Sequence, residues 1–183
     1  MVYFVGAGAG DPELLTLKGK RLIDHADTLI YAGSLVNPEV LAGRKPSSKV
    51  YDSAGMTLEE VMAVVEQSHQ AGLAVVRLHT GDPCLYGAIR EQMDWMDRQG
   101  IPYDICPGVS SFCGAASALG MEYTLPGVTQ SVVITRMAGR TSVPEKESSY
   151  VLVFQQSLKI LLWQIFGLRS KTVAVSFPEC CLL

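Results

Sequence analysis

Short segments rich in apolar and aromatic residues recur along the first 120 positions, at residues 3–5, 28–31, 49–51, 74–78 and 103–105, each three to five residues long. Segments of this length read as strands, the first of them as a short buried one. Between them the apolar spacing changes to a helical one. Leu14, Leu17, Leu22, Ile23 and Ala26 recur at roughly helical spacing behind Asp11-Pro12, where Asp11 caps a first turn and Pro12 takes its first position. Thr57 followed by Glu60 forms a capping box for a helix over 58–70, whose apolar face is Val61, Val64 and Val65 and which ends at Gly72. Ile89, Met93 and Met96 line one side of a helix over 88–98 that Gly100 closes. A small-residue helix then runs through Ala118.

Strands alternating with helices over short links predict a parallel α/β sheet, filling residues 2–120 as one domain. After Gly120 the texture changes. A Pro-Gly break precedes a strong strand over 131–135, so residues 121–183 are expected to begin a second α/β domain, left incomplete.

Composition narrows the function classes. With 183 residues and 48% hydrophobic content the chain can bury a core, and its net charge of −3 with no Lys/Arg block offers no footprint for nucleic acid. Residues 1–12 lack a basic n-region and a clear apolar h-region, so no signal peptide is expected. The apolar stretch 150–166 is broken by Gln155, Gln156, Ser157, Lys159 and Gln164, whereas a spanning helix needs about 20 mostly apolar residues. No membrane partner is expected. The five cysteines form neither a CxxC pair nor a Cys/His ladder, which predicts no metal and reduced, mostly buried thiols in a cytoplasmic protein.

Candidate chemistry sits in three loops at strand ends: Gly6 to Asp11, Thr80 to Gly87 and Pro107 to Ser111. In open α/β sheets ligands lie beyond the carboxyl ends of the strands. A dinucleotide fits poorly, because the second strand ends in Tyr31-Ala32-Gly33 without an acid for a ribose. No Gly-Lys-Ser/Thr follows the first loop, and Asp11 at a helix start would repel a pyrophosphate. Glycines that permit close backbone approach, with Asp11 and Asp82 nearby, suit a cation or hydroxyl donors, as in S-adenosylmethionine. His79, near a strand end, reads as structural or exposed rather than as a base. His25 and His69 read as surface residues of helices.

The motifs VGAGAGDPELLTLKG (5–19), YAGSLVNPE (31–39), RLHTGDPCLYGAIREQ (77–92), PGVSSF (107–112), TLPGVTQSVVITR (124–136) and GRTSVPEKE (139–147) resemble those of the tetrapyrrole methylases. Within that family they are most similar to the branch that methylates C11 of precorrin-4 or cobalt-precorrin-4 in cobalamin biosynthesis. The resemblance implies two α/β domains, S-adenosylmethionine as methyl donor, a tetrapyrrole substrate and a homodimer. It implies cofactor contacts at Gly8, Ala9, Thr80, Gly81, Asp82, Leu85, Ser110 and Ser111, and substrate contacts at Asp11, Tyr86, Arg136 and Arg140. Arg90 is a further candidate for gripping macrocycle carboxylates, balanced against an ordinary solvated arginine. Methyl transfer to a nucleophilic carbon asks mainly for positioning, so no catalytic residue is assigned.

Two departures from the family pattern stand out. Ala9 replaces a proline usual in the first loop, a change worth about 0.4–1 kcal/mol through the unfolded chain. Near residue 147 the motif-level likeness stops, which reads as a truncation or frameshift. A catalytically impaired remnant, or a sister methylase with another substrate, is the alternative reading.

Overall fold

The computed structural model describes residues 1–33, 35–124, 126–127, 130, 132, 134–135 and 174–175. The chain divides into two compact units, Met1–Ser111 and Phe112–Leu183.

The first unit is built on five strands: β1 (Val2–Gly6), β2 (Thr28–Tyr31), β3 (Lys49–Asp52), β4 (Val75–His79) and β5 (Tyr103–Cys106). They form one sheet in the order β3-β2-β4-β1-β5, every neighbouring pair parallel. Both faces of the sheet are covered, which is why β1 and β2 read as near-continuous apolar runs rather than alternating ones. On one face Val5, Leu29, Val76 and Leu78 pack with Ile23 of helix α1 (Leu17–His25) and with Val40 and Leu41 of a 3-10 turn, Pro38–Leu41. On the other, Val2, Phe4, Ile30 and Val75 pack against Val61, Met62 and Val65 of α2 (Leu58–Gln70) and Ile89 and Met96 of α3 (Ile89–Gln99).

The sequence-based elements are recovered with two instructive changes. The α2 capping box forms at both ends: Glu60 N–H donates to Thr57 Oγ1 at 3.2 Å and Thr57 N–H to Glu60 Oε2 at 2.8 Å. Asp11 does cap, accepting from Glu13 N–H at 2.8 Å, but the turn it caps is a single 3-10 turn, Pro12–Leu14. The helix proper restarts at Leu17 behind a second cap, Thr16, which accepts from Gly19 N–H. The restart shifts the helical phase, so Leu17 lies 93% exposed instead of joining the core with Ile23. It also removes Asp11 from an α-helix terminus, so the argument that it faces a helix dipole lapses. The missing ribose acid and missing Lys-Ser/Thr still count against a dinucleotide or nucleotide.

Cys106 is buried, but Cys84 and Cys113 are exposed free thiols. They lie in the loop after β4 and on an outward position of α4, so the expectation of mostly buried thiols is corrected; Cys180 and Cys181 lie outside the described residues. His25 is exposed, whereas His69 is half-buried, its Nδ1 shielded from solvent.

The second unit continues α4 (Ser111–Leu119), where Tyr123 Oη donates to Phe112 O at 2.6 Å and the two rings stand 6.2 Å apart. A two-residue pair, β6 (Ile134–Thr135) with β7 (Ala174–Val175), runs antiparallel. Of the strand expected over 131–135, only Ile134–Thr135 is strand among the described residues. Among the described residues no helix is long and apolar enough to cross a membrane.

Candidate functional site

Strand order decides which loops meet. Because β1 lies between β4 and β5, the loops leaving their carboxyl ends are neighbours: residues 6–11, 80–88 and 107–111. Glycine makes the contact possible. A Cβ on Gly6 would lie 2.5 Å from Gly81 O and 2.6 Å from Gly108 Cα, and one on Gly108 would collide with Gly81 O. Three backbones therefore cross at a separation that no other residue tolerates.

The crossing is hydrogen-bonded as well as close. Gly81 N–H donates to Gly8 O at 2.9 Å and Gly8 N–H to Gly81 O at 3.3 Å, an antiparallel bridge beyond the parallel ladder. Both glycines have positive φ, 75° and 65°. Ser110 Cα and Ser111 N lie 3.5 Å from the place where a Gly81 Cβ would stand, which seats the serine pair on the same crossing. Gly8, Gly81, Ser110 and Ser111 are thus gathered at one point, with Thr80 and Asp82 flanking Gly81.

Several of the other nominated side chains are already engaged. The Asp82 carboxylate accepts from Cys84 N–H at 2.8 Å and Gly108 N–H at 3.0 Å. Thr80 Oγ1 donates to Leu35 O at 3.3 Å. Ala9 is 1% exposed, so its methyl belongs to the interior. Asp11 is exposed at the edge of the first loop, its carboxylate occupied with Glu13 N–H.

The second loop is wound tightly. Tyr86 and Ala88 have φ of 59° and 51°, left-handed values costly for residues with a Cβ. They flank Gly87, whose missing side chain makes room for Pro83 O. The result holds Leu85 half-buried and presents Tyr86 54% exposed. Ala88 leads into α3 without a side-chain cap.

Beneath the loops β4 carries two polar side chains on one face, Arg77 and His79. Burial and the Arg77 charge push the His79 imidazole down to about 3. Its ring packs 5.8 Å from that of Phe4, and it is neutral at physiological pH. A neutral imidazole inside the core is a structural group, in line with the sequence reading. Burial alone brings Arg77 down to about 10, and its guanidinium donates to Ile30 O and Leu78 O. Arg90 is paired with Asp94 at 2.9 Å on the outer side of α3. Arg136 and Arg140 lie outside the described residues.

One contributor escaped the sequence reading. Asn37, after β2, donates from Nδ2 to Gly10 O at 2.8 Å, joining a fourth loop to the first. Asn before Pro signals a cap, and Asn37 does accept from Glu39 N–H. Nothing in that local signal points to a partner 27 positions away.

The family model described as Tetrapyrrole (Corrin/Porphyrin) Methylases matches residues 1–165, past the point near 147 where the quoted motifs end. Over 156 residues the chain is 53% identical to the cobalt-precorrin-4 C(11)-methyltransferase of Methanocaldococcus jannaschii, covering 85% of this chain and 60% of that protein. The X-ray structure of a cobalamin biosynthetic enzyme, cobalt precorrin-4 methyltransferase, superposes with a TM-score of 0.76 at 48% identity, over 80% of this chain and 61% of that one. The uroporphyrin-III C-methyltransferase of Thermus thermophilus complexed with S-adenyl homocysteine superposes with a TM-score of 0.58 at 37% identity, over 71% of this chain and 52% of that one. The chain spans about three fifths of the length of the curated relatives it matches first. With a matching family model across most of its length and a parallel sheet whose glycine loops converge at one edge, the chain belongs to the tetrapyrrole methylases.

Proposed function

We propose that this chain carries the S-adenosylmethionine-binding part of a methyltransferase acting on C11 of precorrin-4 or cobalt-precorrin-4 in cobalamin biosynthesis. The observation that carries the reading is the crossing of Gly6, Gly81 and Gly108, with the Gly8–Gly81 bridge beside it. It supports a built, rigid platform of backbone at the carboxyl edge of the sheet. The 48% identity to a solved cobalt precorrin-4 methyltransferase supports the choice of reaction.

The residues present fit the cofactor's chemistry. S-adenosylmethionine is a cation with an ammonium, ribose hydroxyls and a flat adenine. The platform offers backbone at Gly8 and Gly81, open space around Gly10, the carboxylates Asp11 and Asp82, the hydroxyls of Ser110 and Ser111, and the apolar Leu85. No lysine stands in the three loops to attract a phosphate. When bound, the cofactor supplies a methyl group on a sulfonium, an electrophile for a nucleophilic ring carbon.

In this reading Gly8, Ala9, Thr80, Gly81, Asp82, Leu85, Ser110 and Ser111 form the cofactor wall, Ala9 through its backbone. Thr80 and Asp82 act by holding the loops. Asp11 and Tyr86 border the macrocycle, and Arg136 and Arg140 pair with its carboxylates. Residues 1–120 form the N-terminal α/β domain and 121–183 begin the second. The working enzyme is a cytoplasmic homodimer. Precise orientation supplies most of the rate, so no residue of this chain is assigned as a base. Isothermal calorimetry of the chain with S-adenosylhomocysteine tests the reading. Saturable heat is expected, and no heat at millimolar ligand overturns it.

A further inference from the structure

We infer that Asn37 is a positioning residue for the cofactor loop: its side-chain amide sets the Gly10 carbonyl, and through it the shape of the first glycine loop. This rests on the reading above that the loop holds S-adenosylmethionine.

The sheet ladder controls the loop only as far as Gly8. Ala7 N–H donates to His79 O at 2.8 Å, and the Gly8–Gly81 bridge follows. On the far side, Asp11 O accepts from Leu14 N–H at 3.0 Å and starts the 3-10 turn. Between them lie Ala9 and Gly10. Gly10 has a φ of 111° and nothing within 4 Å of the place a Cβ would occupy. The bond from Asn37 Nδ2 to Gly10 O, at 2.8 Å and partly buried, spans that gap.

The amide is held at both ends. Oδ1 accepts from Glu39 N–H at 3.0 Å as the cap of the turn Pro38–Leu41, while Nδ2 reaches Gly10. A flipped amide would set NH2 against the Glu39 N–H and oxygen against the Gly10 carbonyl, so a single orientation satisfies both. The turn itself is anchored in the core by Val40, 1% exposed, and Leu41, 5% exposed. Upstream, Val36 is 4% exposed, and Leu35 O accepts from Thr80 Oγ1. The segment around Asn37 thus touches both the first loop and the loop after β4. A fixed body of the protein imposes a geometry on a loop rich in glycine, which would otherwise sample many.

Asn37→Asp isolates the effect. The carboxylate keeps the cap to Glu39 N–H, but it has no donor and turns an oxygen toward the Gly10 carbonyl. Asn37→Ser keeps a cap oxygen on a side chain too short to reach Gly10. Two readouts are taken on the whole chain and both variants: amide hydrogen exchange by NMR, and S-adenosylhomocysteine affinity by calorimetry. The Gly8 and Gly81 amides are expected to exchange faster in both variants, by a larger factor than the amides of α2. Affinity is expected to fall about tenfold, the equivalent of one such hydrogen bond. Unchanged exchange at Gly8 and Gly81 overturns the inference, whatever the affinities. Faster exchange with undiminished affinity overturns it as well, since the brace would then not serve binding. If the unaltered chain does not bind the ligand, the cofactor reading fails, and the brace is decided by exchange alone.

Discussion

Asp82 Oδ2 accepts a hydrogen bond from the Gly108 backbone N–H at 3.0 Å, joining two loops whose residues lie 26 positions apart. The same carboxylate holds Cys84 N–H at 2.8 Å. An aspartate that reads as a ligand contact in sequence is therefore also a brace between the loops after β4 and β5. The crossing of Gly6, Gly81 and Gly108 sits directly beside it.

Asp82→Ala leaves both amides without their acceptor and is expected to lower stability by about 1–3 kcal/mol, the range for losing bonds to a charged group. Asp82→Asn keeps one acceptor oxygen and is expected to lose less. Urea unfolding followed by circular dichroism measures both. Equal stability of Asp82→Ala and the unaltered chain would show that the brace contributes nothing.

Gly6→Ala places a methyl 2.5 Å from Gly81 O, with backbone on all sides and no flexible side chain to yield. The expected loss is about 3 kcal/mol or more, at the upper end for overpacking. Gly10→Ala is the matched control, because its Cβ meets nothing within 4 Å and suffers only the cost of a positive φ. Thermal unfolding should rank Gly6→Ala far below Gly10→Ala.

The acid limb of stability is expected to begin at His79. The folded imidazole takes a proton only near pH 3, while the unfolded one does so near 6.5. Between those values the unfolded chain holds the extra proton. Stability is therefore full above about pH 6.5 and falls as pH drops, by about 1.4 kcal/mol per unit at most. Asp27 is held below its ordinary value by bonds from Lys45 and Ala74, and Asp52 by bonds from Gly33 and Ala54. These two add a loss only below about 3.8. Unfolding curves across pH 4–8 check the sign, and His79→Gln should flatten the slope between pH 6.5 and 4.

Residues 2–120 were legible because their elements are locally encoded. The capping box at Thr57 and Glu60 needs three residues of separation, and strands such as β1 and β2 need only a short run rich in apolar residues. Gly72 and Gly100 sit where a left-handed residue ends a helix, with φ of 72° and 65°. Leu17 was misread for an equally local reason. Two caps in succession, Asp11 and Thr16, break one apparent helix into a turn and a helix of different phase.

The sequence by itself determined that this is a parallel α/β chain with glycine loops at its strand ends, and its motifs placed it among the tetrapyrrole methylases. Those properties follow from hydrogen bonds and burial patterns a few residues long. Only the tertiary structure decided that β1 lies between β4 and β5, which brings Gly6, Gly81 and Gly108 into contact. It alone showed that Asp82 and Thr80 are tied to other loops and that Asn37 reaches Gly10. Strand order and side-chain reach across 26 to 45 positions arise from packing the whole sheet, and no local pattern encodes them.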